Sequence, residues 1–298
     1  MRLGLSLPVF TDDARRPLEA AQRAVQAGYD GAFAPDHLFP PGAPDRPSLD
    51  AFSVLSAVAA ANPGLTVGPL VSRAGVRPAG LLAKQAAALE QIGGAGAVLG
   101  LGIGDRHAEA EHEAYGLPFP PPDERRIVLE ETAQACRALF KGLPWPGGRR
   151  VGPIAGPLVP PGQADIWFGG KSERVLKAAA RSADAWNGWG LHDDAFLERT
   201  ARLAQLTRAC GRDPGMVPPT WGGIVLVGQD AAELASLETD RRRRGLPMEI
   251  WRGTVEDLRR LMERLRSAGT AWFIAVPAGP PDRTELIART LDDARSAA

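Results

Sequence analysis

Short apolar runs alternate with amphipathic stretches eight times along this chain, and few folds accept that order. The strand candidates are Leu3–Leu7, Gly31–Ala34, Leu65–Val71, Ala97–Ile103, Ile166–Gly169, Ala185–Trp189, Thr220–Val227 and Ala271–Val276. Between and after them the apolar spacing predicts helices over Ala14–Ala27, Ser48–Ala61, Pro78–Ile92, Glu124–Phe140, Ser172–Arg181, Asp193–Cys210, Ala231–Arg243, Thr254–Ala268 and Thr284–Ala294. Their ends carry the expected punctuation: Gly28 stops the first, Asn62-Pro63 closes the second, and Pro78 opens the third. Strands that are apolar on both faces and joined by crossover helices should be parallel and covered on both sides. A doubly wound sheet could hold eight such strands, but the count and the length of 298 residues favour an α/β fold closed as a (β/α)8 TIM barrel. The expectation is a single domain over residues 1–298, with a Pro/Gly-rich excursion around 143–163.

Composition removes several function classes. Thirty-five basic and thirty-five acidic side chains cancel, so no overall field recruits nucleic acid or an anionic membrane. No stretch approaches the roughly 18 apolar residues of a spanning helix. Met1-Arg2-Leu3-Gly4 leads straight into a strand-like run without a separate apolar signal segment. The only cysteines, Cys136 and Cys210, both fall in helix-like sequence, which leaves neither a disulfide scaffold nor a cysteine metal site and points to a reducing cytoplasm.

In a barrel of this kind the residues just after the strands build the active face. Those positions hold Asp36-His37, Ser72-Arg73, Gly102-Ile103-Gly104-Asp105, Gly169-Gly170-Lys171-Ser172 and Asn187-Gly188-Trp189. In the fourth group, two glycines let backbone N–H groups approach an anion, and a helix starting at Ser172 points its positive end at the same place. That suits a cofactor phosphate, although a tight turn with Ser172 as N-cap explains the same residues. Gly100, Gly102 and Gly104 lack the dinucleotide spacing; they serve either close approach of a flat ligand or relief of crowding at the barrel mouth. His37 is a candidate proton-transfer group, and Asp36 a partner for a ring N–H; the alternative is a capping and solvated loop pair. Asp105 is a second acid or an N-cap. His107, Glu111 and His112 have helical spacing, but no histidine follows His112-Glu113 at the distance a metalloprotease helix needs. A solvated helix is the favoured reading there, a metal-dependent hydrolase the minor one, and no metal is expected. Trp186 and Trp189 pack in the core or rim, or stack on a ring system.

Five segments in register resemble the luciferase-like monooxygenase superfamily of flavin- and F420-dependent oxidoreductases. They are Ala34-Pro35-Asp36-His37-Leu38, Gly68–Ser72, Val98–Gly104 leading into Glu109–Gly116, Asp165–Gly170 and Ala183–Asn187. The resemblance implies a flavin-type ring at the C-terminal face, a non-proline cis peptide near Leu70–Ser72 behind the ring, and catalytic roles for His37 and Asp105. It carries cofactor contacts to Asp36, Leu70, Val71, Ser72, Gly102, Gly104, Phe168, Gly169, Gly170, Lys171, Ser172, Trp186 and Asn187. Where the sugar-phosphate enzymes of this group place a tryptophan after the histidine, this chain has Leu38-Phe39-Pro40-Pro41, which speaks against that substrate. What the resemblance implies is an F420-dependent oxidoreductase acting on a small organic molecule, with an FMN-dependent monooxygenase as alternative, a non-catalytic ligand-binding barrel as a further one, and a homodimer as the habitual assembly. Arg73, Arg77 and Lys171 would lie near the mouth, available to the acidic tail of F420.

Overall fold

In the computed structural model, which describes residues 1–296, the last two residues of the expected domain lie outside the described residues. The strands are β1 (Arg2–Ser6), β2 (Gly31–Ala34), β3 (Thr66–Pro69), β4 (Ser72–Arg73), β5 (Val98–Gly102), β6 (Asp165–Gly169), β7 (Ala185–Trp189), β8 (Pro219–Gly228), β9 (Trp251–Thr254) and β10 (Trp272–Ala278). The helices are α1 (Arg15–Gln26), α2 (Ala51–Ala61), α3 (Ala79–Gly93), α4 (Arg106–Ala114), α5 (Pro122–Phe140), α6 (Glu173–Ser182), α7 (Asp193–Ala209), α8 (Ala231–Arg243), α9 (Val255–Ser267) and α10 (Arg283–Ser296).

All strand pairs are parallel, in the order β3-β2-β1-β10-β8-β7-β6-β5-β4. A bridge between Val67 and Ala97 joins β3 to β5, so the sheet is a nearly closed barrel with β3 and β4 as two halves of its third stave. The predicted strand Leu65–Val71 is therefore interrupted, and the Leu70–Val71 peptide at the interruption is cis. β9 was not expected; it pairs Val225–Gly228, the half of β8 that runs past the barrel rim. Four residues with no clear alternation give too little periodicity to reveal such an outer strand.

Aromatic side chains plug the barrel interior. Phe33 of β2 stacks on Trp167 of β6 at 5.6 Å and meets Trp272 of β10 edge-on at 5.3 Å. Glycines make that possible, since a Cβ on Gly4 would lie 2.8 Å from Phe33 and one on Gly31 2.9 Å from Trp272. A second, larger core lies between the strands and the helices, where Leu55, Leu82, Leu99, Leu129, Leu176 and Phe273 are fully buried. With its lower interior filled, the barrel leaves function to the loops at the strand C-termini. The excursion before β6 folds back on α5: Trp145 and Ile154 form an antiparallel bridge, and Glu131 accepts from the backbone N–H groups of Arg149, Arg150 and Val151. No helix among the described residues is long and apolar enough to cross a membrane.

Candidate active site

The strand register brings the predicted mouth residues together. Ser72 lies opposite Leu101, Arg73 opposite Gly102, Gly102 opposite Gly169, and Gly169 opposite Asn187. Val71 projects across this patch. A Cβ on Gly102 or Gly169 would come within 2.6 Å of a Val71 methyl, and one on Gly100 within 2.2 Å of the Pro69 carbonyl oxygen. The glycines of β5 and β6 thus make room for the interrupted third stave, the crowding alternative, while Val71 itself stays partly exposed.

Asp36 and Ser72 are both buried, and the Ser72 hydroxyl donates to Asp36 Oδ2 at 2.6 Å. Arg77 closes the other side, with Nη2 3.1 Å from Asp36 Oδ1 and 2.9 Å from Asp50 Oδ2, and with Nη1 on Asp36 Oδ2. Both carboxylate oxygens of Asp36 are therefore engaged within the protein. Arg77 is held by two carboxylates and Arg73 is buried, so neither is the solvated cation expected near an acidic tail.

His37 stands beside this cluster, with 29% of its side chain exposed and its ring edge toward Phe10 at 6.0 Å. Its partner is Glu111, a residue that the sequence placed on a solvated helix. The Glu111 side chain is fully buried, with Oε1 2.7 Å from His37 Nδ1, and Oε2 accepting from the Leu38 N–H at 2.6 Å and from Arg73 Nη2 at 2.7 Å. Burial opposes ionisation of this carboxyl, but the bonds from His37 and Arg73 outweigh it and hold it down to about 2. An ionised carboxylate only accepts, so Nδ1 of His37 carries the proton and Nε2 is the nitrogen left to exchange one. The acidic Glu-Ala-Glu-His-Glu run suggests a wetted face, and only the tertiary partners reveal that one of its members is buried.

The remaining expected residues divide by position. Asp105 is exposed and caps α4, its Oδ1 accepting from the N–H groups of His107 and Ala108 at 2.9 and 3.3 Å. Gly104, with φ 73°, makes the turn into that cap. Gly170 has φ 142°, which only glycine adopts easily, and leads into Lys171 and the N-cap Ser172, whose hydroxyl accepts from Val175 N–H. Lys171 is exposed. Leu70 is nearly buried beneath the bulge. Phe168 and Trp186 are fully buried, and Trp186 stacks on Phe196 at 5.5 Å while donating Nε1–H to the Gly170 carbonyl at 2.8 Å. Trp186 thereby braces the glycine turn, and Phe168 belongs to the core between the strands and the helices. Asn187 is likewise buried, donating to Thr220 Oγ1 at 2.9 Å. His107 is exposed and His112 buried, and no cluster of metal-binding side chains exists among the described residues.

The sequence model described as luciferase-like monooxygenase matches residues 1–276. A phthiodiolone/phenolphthiodiolone dimycocerosates ketoreductase of Mycobacterium sp. (strain JLS) is 29% identical over 254 residues, covering 72% of this chain and 63% of the relative. That of Mycobacterium kansasii is 30% identical over 227 residues, covering 69% and 59%. The chain thus spans less than two thirds of the length of these relatives. Among solved structures, an F420-dependent secondary alcohol dehydrogenase in complex with an F420–acetone adduct superposes with TM-score 0.83 at 17% identity, covering 99% of both chains. EDTA monooxygenase from Chelativorans sp. BNC1 gives 0.80 at 16% identity, covering 100% of this chain and 94% of the other. At such identities these structures speak to the fold alone.

Proposed function

Since the chain belongs to the luciferase-like monooxygenase family, we propose that it is an oxidoreductase that uses F420 to move a hydride to or from a carbonyl or alcohol carbon of a small organic substrate. The observation that carries this reading is the His37–Glu111 contact, which leaves His37 Nε2 as a defined proton donor or acceptor at the mouth.

The residues present fit a flat ring with a phosphate tail. Val71 offers a partly exposed apolar surface backed by glycines, so a ring face has something firm to rest on. The turn at Gly170 and the N-terminus of α6 present backbone N–H groups, with the Lys171 charge beside them, to a phosphate. When bound, the deazaflavin supplies the hydride chemistry. The protein's part is to orient the reactants and to hold a proton at His37 Nε2 for the substrate oxygen. Arg73 and the Leu38 N–H fix Glu111, and Glu111 fixes the imidazole. Asp36, tied to Ser72 and Arg77, presents a polar wall to the ring's edge. The proton role falls to His37 and not to Asp105, whose Oδ1 is occupied by the helix cap.

The Val71 surface and the glycine turn would serve FMN as well, so an FMN-dependent monooxygenase is the second reading. Fluorescence titration with F420 and with FMN separates the two. Saturable micromolar binding of F420 with little affinity for FMN supports the first; the reverse replaces it, and binding of neither refutes both.

A further inference from the structure

Of the residues in β8, Pro219 to Gly228, all are buried except Ile224, which is partly exposed. Alternation along the strand decides where it looks. Trp221 stacks on Phe273 at 4.6 Å in the core between strands and helices, so Thr220, Gly222 and Ile224 face the barrel interior. On β10, Trp272 belongs to the interior plug, so Ile274 and Val276 face inward above it, and Val276 pairs with Ile224. On β7, Trp189 pairs with Gly222, whose missing side chain lets the indole lie across β8; a Cβ there would stand 2.5 Å from the ring. Trp189 and Val276 are partly exposed as well. One inward position further along, Leu226 and Ala278 are buried again, in a cluster with Leu234 and Leu237 of α8. Three apolar side chains from adjacent staves thus open at one level.

The topology says what that patch faces. In the order β3-β2-β1-β10-β8-β7-β6-β5-β4, with β3 and β4 as halves of one stave, β8 lies four steps from that stave in either direction. It is therefore diametrically opposite Val71. A ring resting on Val71 turns its free face across the barrel to Trp189, Ile224 and Val276, while His37 enters from the end of β2, beside the Val71 stave. The substrate must lie between ring and wall. The inward residues of β7, β8 and β10 at this level and just below it, which add Asn187, Gly222 and Ile274, carry no charge. The Asn187 amide is taken by Thr220. Lys171, on the loop after β6, reaches the Gly190 carbonyl at 3.4 Å and is assigned above to the phosphate. A carboxylate or phosphate on the substrate would lose water against this wall without gaining a partner.

We propose that Trp189, Ile224 and Val276 form the substrate-side wall of the mouth and select a ketone, or its secondary alcohol, with uncharged hydrocarbon substituents over one that bears a carboxylate or phosphate. The inference rests on the reading of the mouth as a redox-ring site and adds the substrate class to it.

The test compares 2-hexanone with 4-oxopentanoate, methyl ketones of nearly equal length that differ in charge. Their binding is measured by calorimetry on the full chain saturated with oxidised F420, and by ligand-observed NMR on the protein alone. The wild type should prefer 2-hexanone at least tenfold. Ile224→Lys should weaken 2-hexanone about tenfold, the cost of a lost methylene contact or two, and strengthen 4-oxopentanoate about tenfold, the low end for a hydrogen bond to a charged group. Their ratio then moves about 10²-fold. Ile224→Glu should move it the opposite way, whereas a residue that only packs would shift the ratio alike in both variants. Val276→Lys and Val276→Glu repeat the contrast from β10, should an Ile224 variant not fold. Equal affinity of the wild type for the two ketones, a ratio that Lys and Glu move in the same direction or not at all, or no saturable 2-hexanone binding in either state would overturn the proposal. A protein that does not bind F420 refutes the cofactor reading, and the NMR comparison without F420 still decides the wall.

Discussion

Replacing Glu111 by Gln removes a charge that three groups depend on, and the structure sets both the size and the pH dependence of the effect. The carboxyl is fully buried and held at about 2, against an ordinary value of 4.5. A folded-state value below the unfolded one means stability that is fully present above about pH 4.5 and lost as the pH falls through about 2. The difference corresponds to about 3 kcal/mol, in line with the roughly 3–5 kcal/mol measured when one partner of a buried ion pair is deleted. Here the stranded partner is Arg73, only 5% exposed, whose Nε and Nη1 already lack partners. At pH 3 the wild type should have lost about 2 kcal/mol of this contribution, while Gln has no such titration to lose. Urea unfolding of both proteins at pH 7 and pH 3 reads this out directly. The variant should be about 3 kcal/mol less stable at pH 7, and the gap should narrow by about 2 kcal/mol at pH 3. A gap that stays constant between those pH values would refute the claim that Glu111 is an ionised, buried anchor.

Other consequences are sharper in contrast than in absolute size. Gly100→Ala places a Cβ 2.2 Å from the Pro69 carbonyl and should cost about 3 kcal/mol, whereas Gly152→Ala meets nothing within 4 Å and should stay within about 0.5 kcal/mol by the same urea assay. A native thiol titration should count one reactive cysteine, the exposed Cys210, since Cys136 is buried and its thiol is pushed up to about 12; two should react in denaturant. With the substrate identified, His37→Ala should lower turnover about 10²-fold with the fold intact, while Asp105→Ala should cost about 1 kcal/mol of stability through the lost cap and leave turnover within a few-fold.

The barrel is legible in the sequence because each stave is a short apolar run bounded by glycine or proline, and each helix carries its own start and stop residues. Asp36, His37, Ser72 and the Gly169–Ser172 turn fall at strand ends, so their convergence follows from topology alone. The readings that needed tertiary partners fared differently. Glu111 sits among Glu109, His112 and Glu113, and nothing local separates a carboxylate buried against His37, 74 residues away, from its wetted neighbours. The glycines of β5 look like room for a ligand, but their space is taken by Val71 and the Pro69 carbonyl of the adjacent stave. Trp186 reads as a core or rim residue with ring stacking as the alternative, and only the packing of Phe196 against it decides for the core. Arg73 and Arg77 read as cations available to an acidic tail for the same reason: the acids that hold them come from distant segments.

The central claim is that the mouth built by Asp36, His37, Val71, Ser72 and the Gly170 turn receives a flat, phosphate-tailed redox ring. A crystal structure of the protein grown with F420 tests it most directly. The account predicts one face of the ring on Val71, His37 Nε2 facing the open side, and the phosphate at the N-terminus of α6 beside Lys171. Density for the ring away from Val71 and the Gly170 turn, or a mouth that F420 does not enter at saturating concentration, would contradict it.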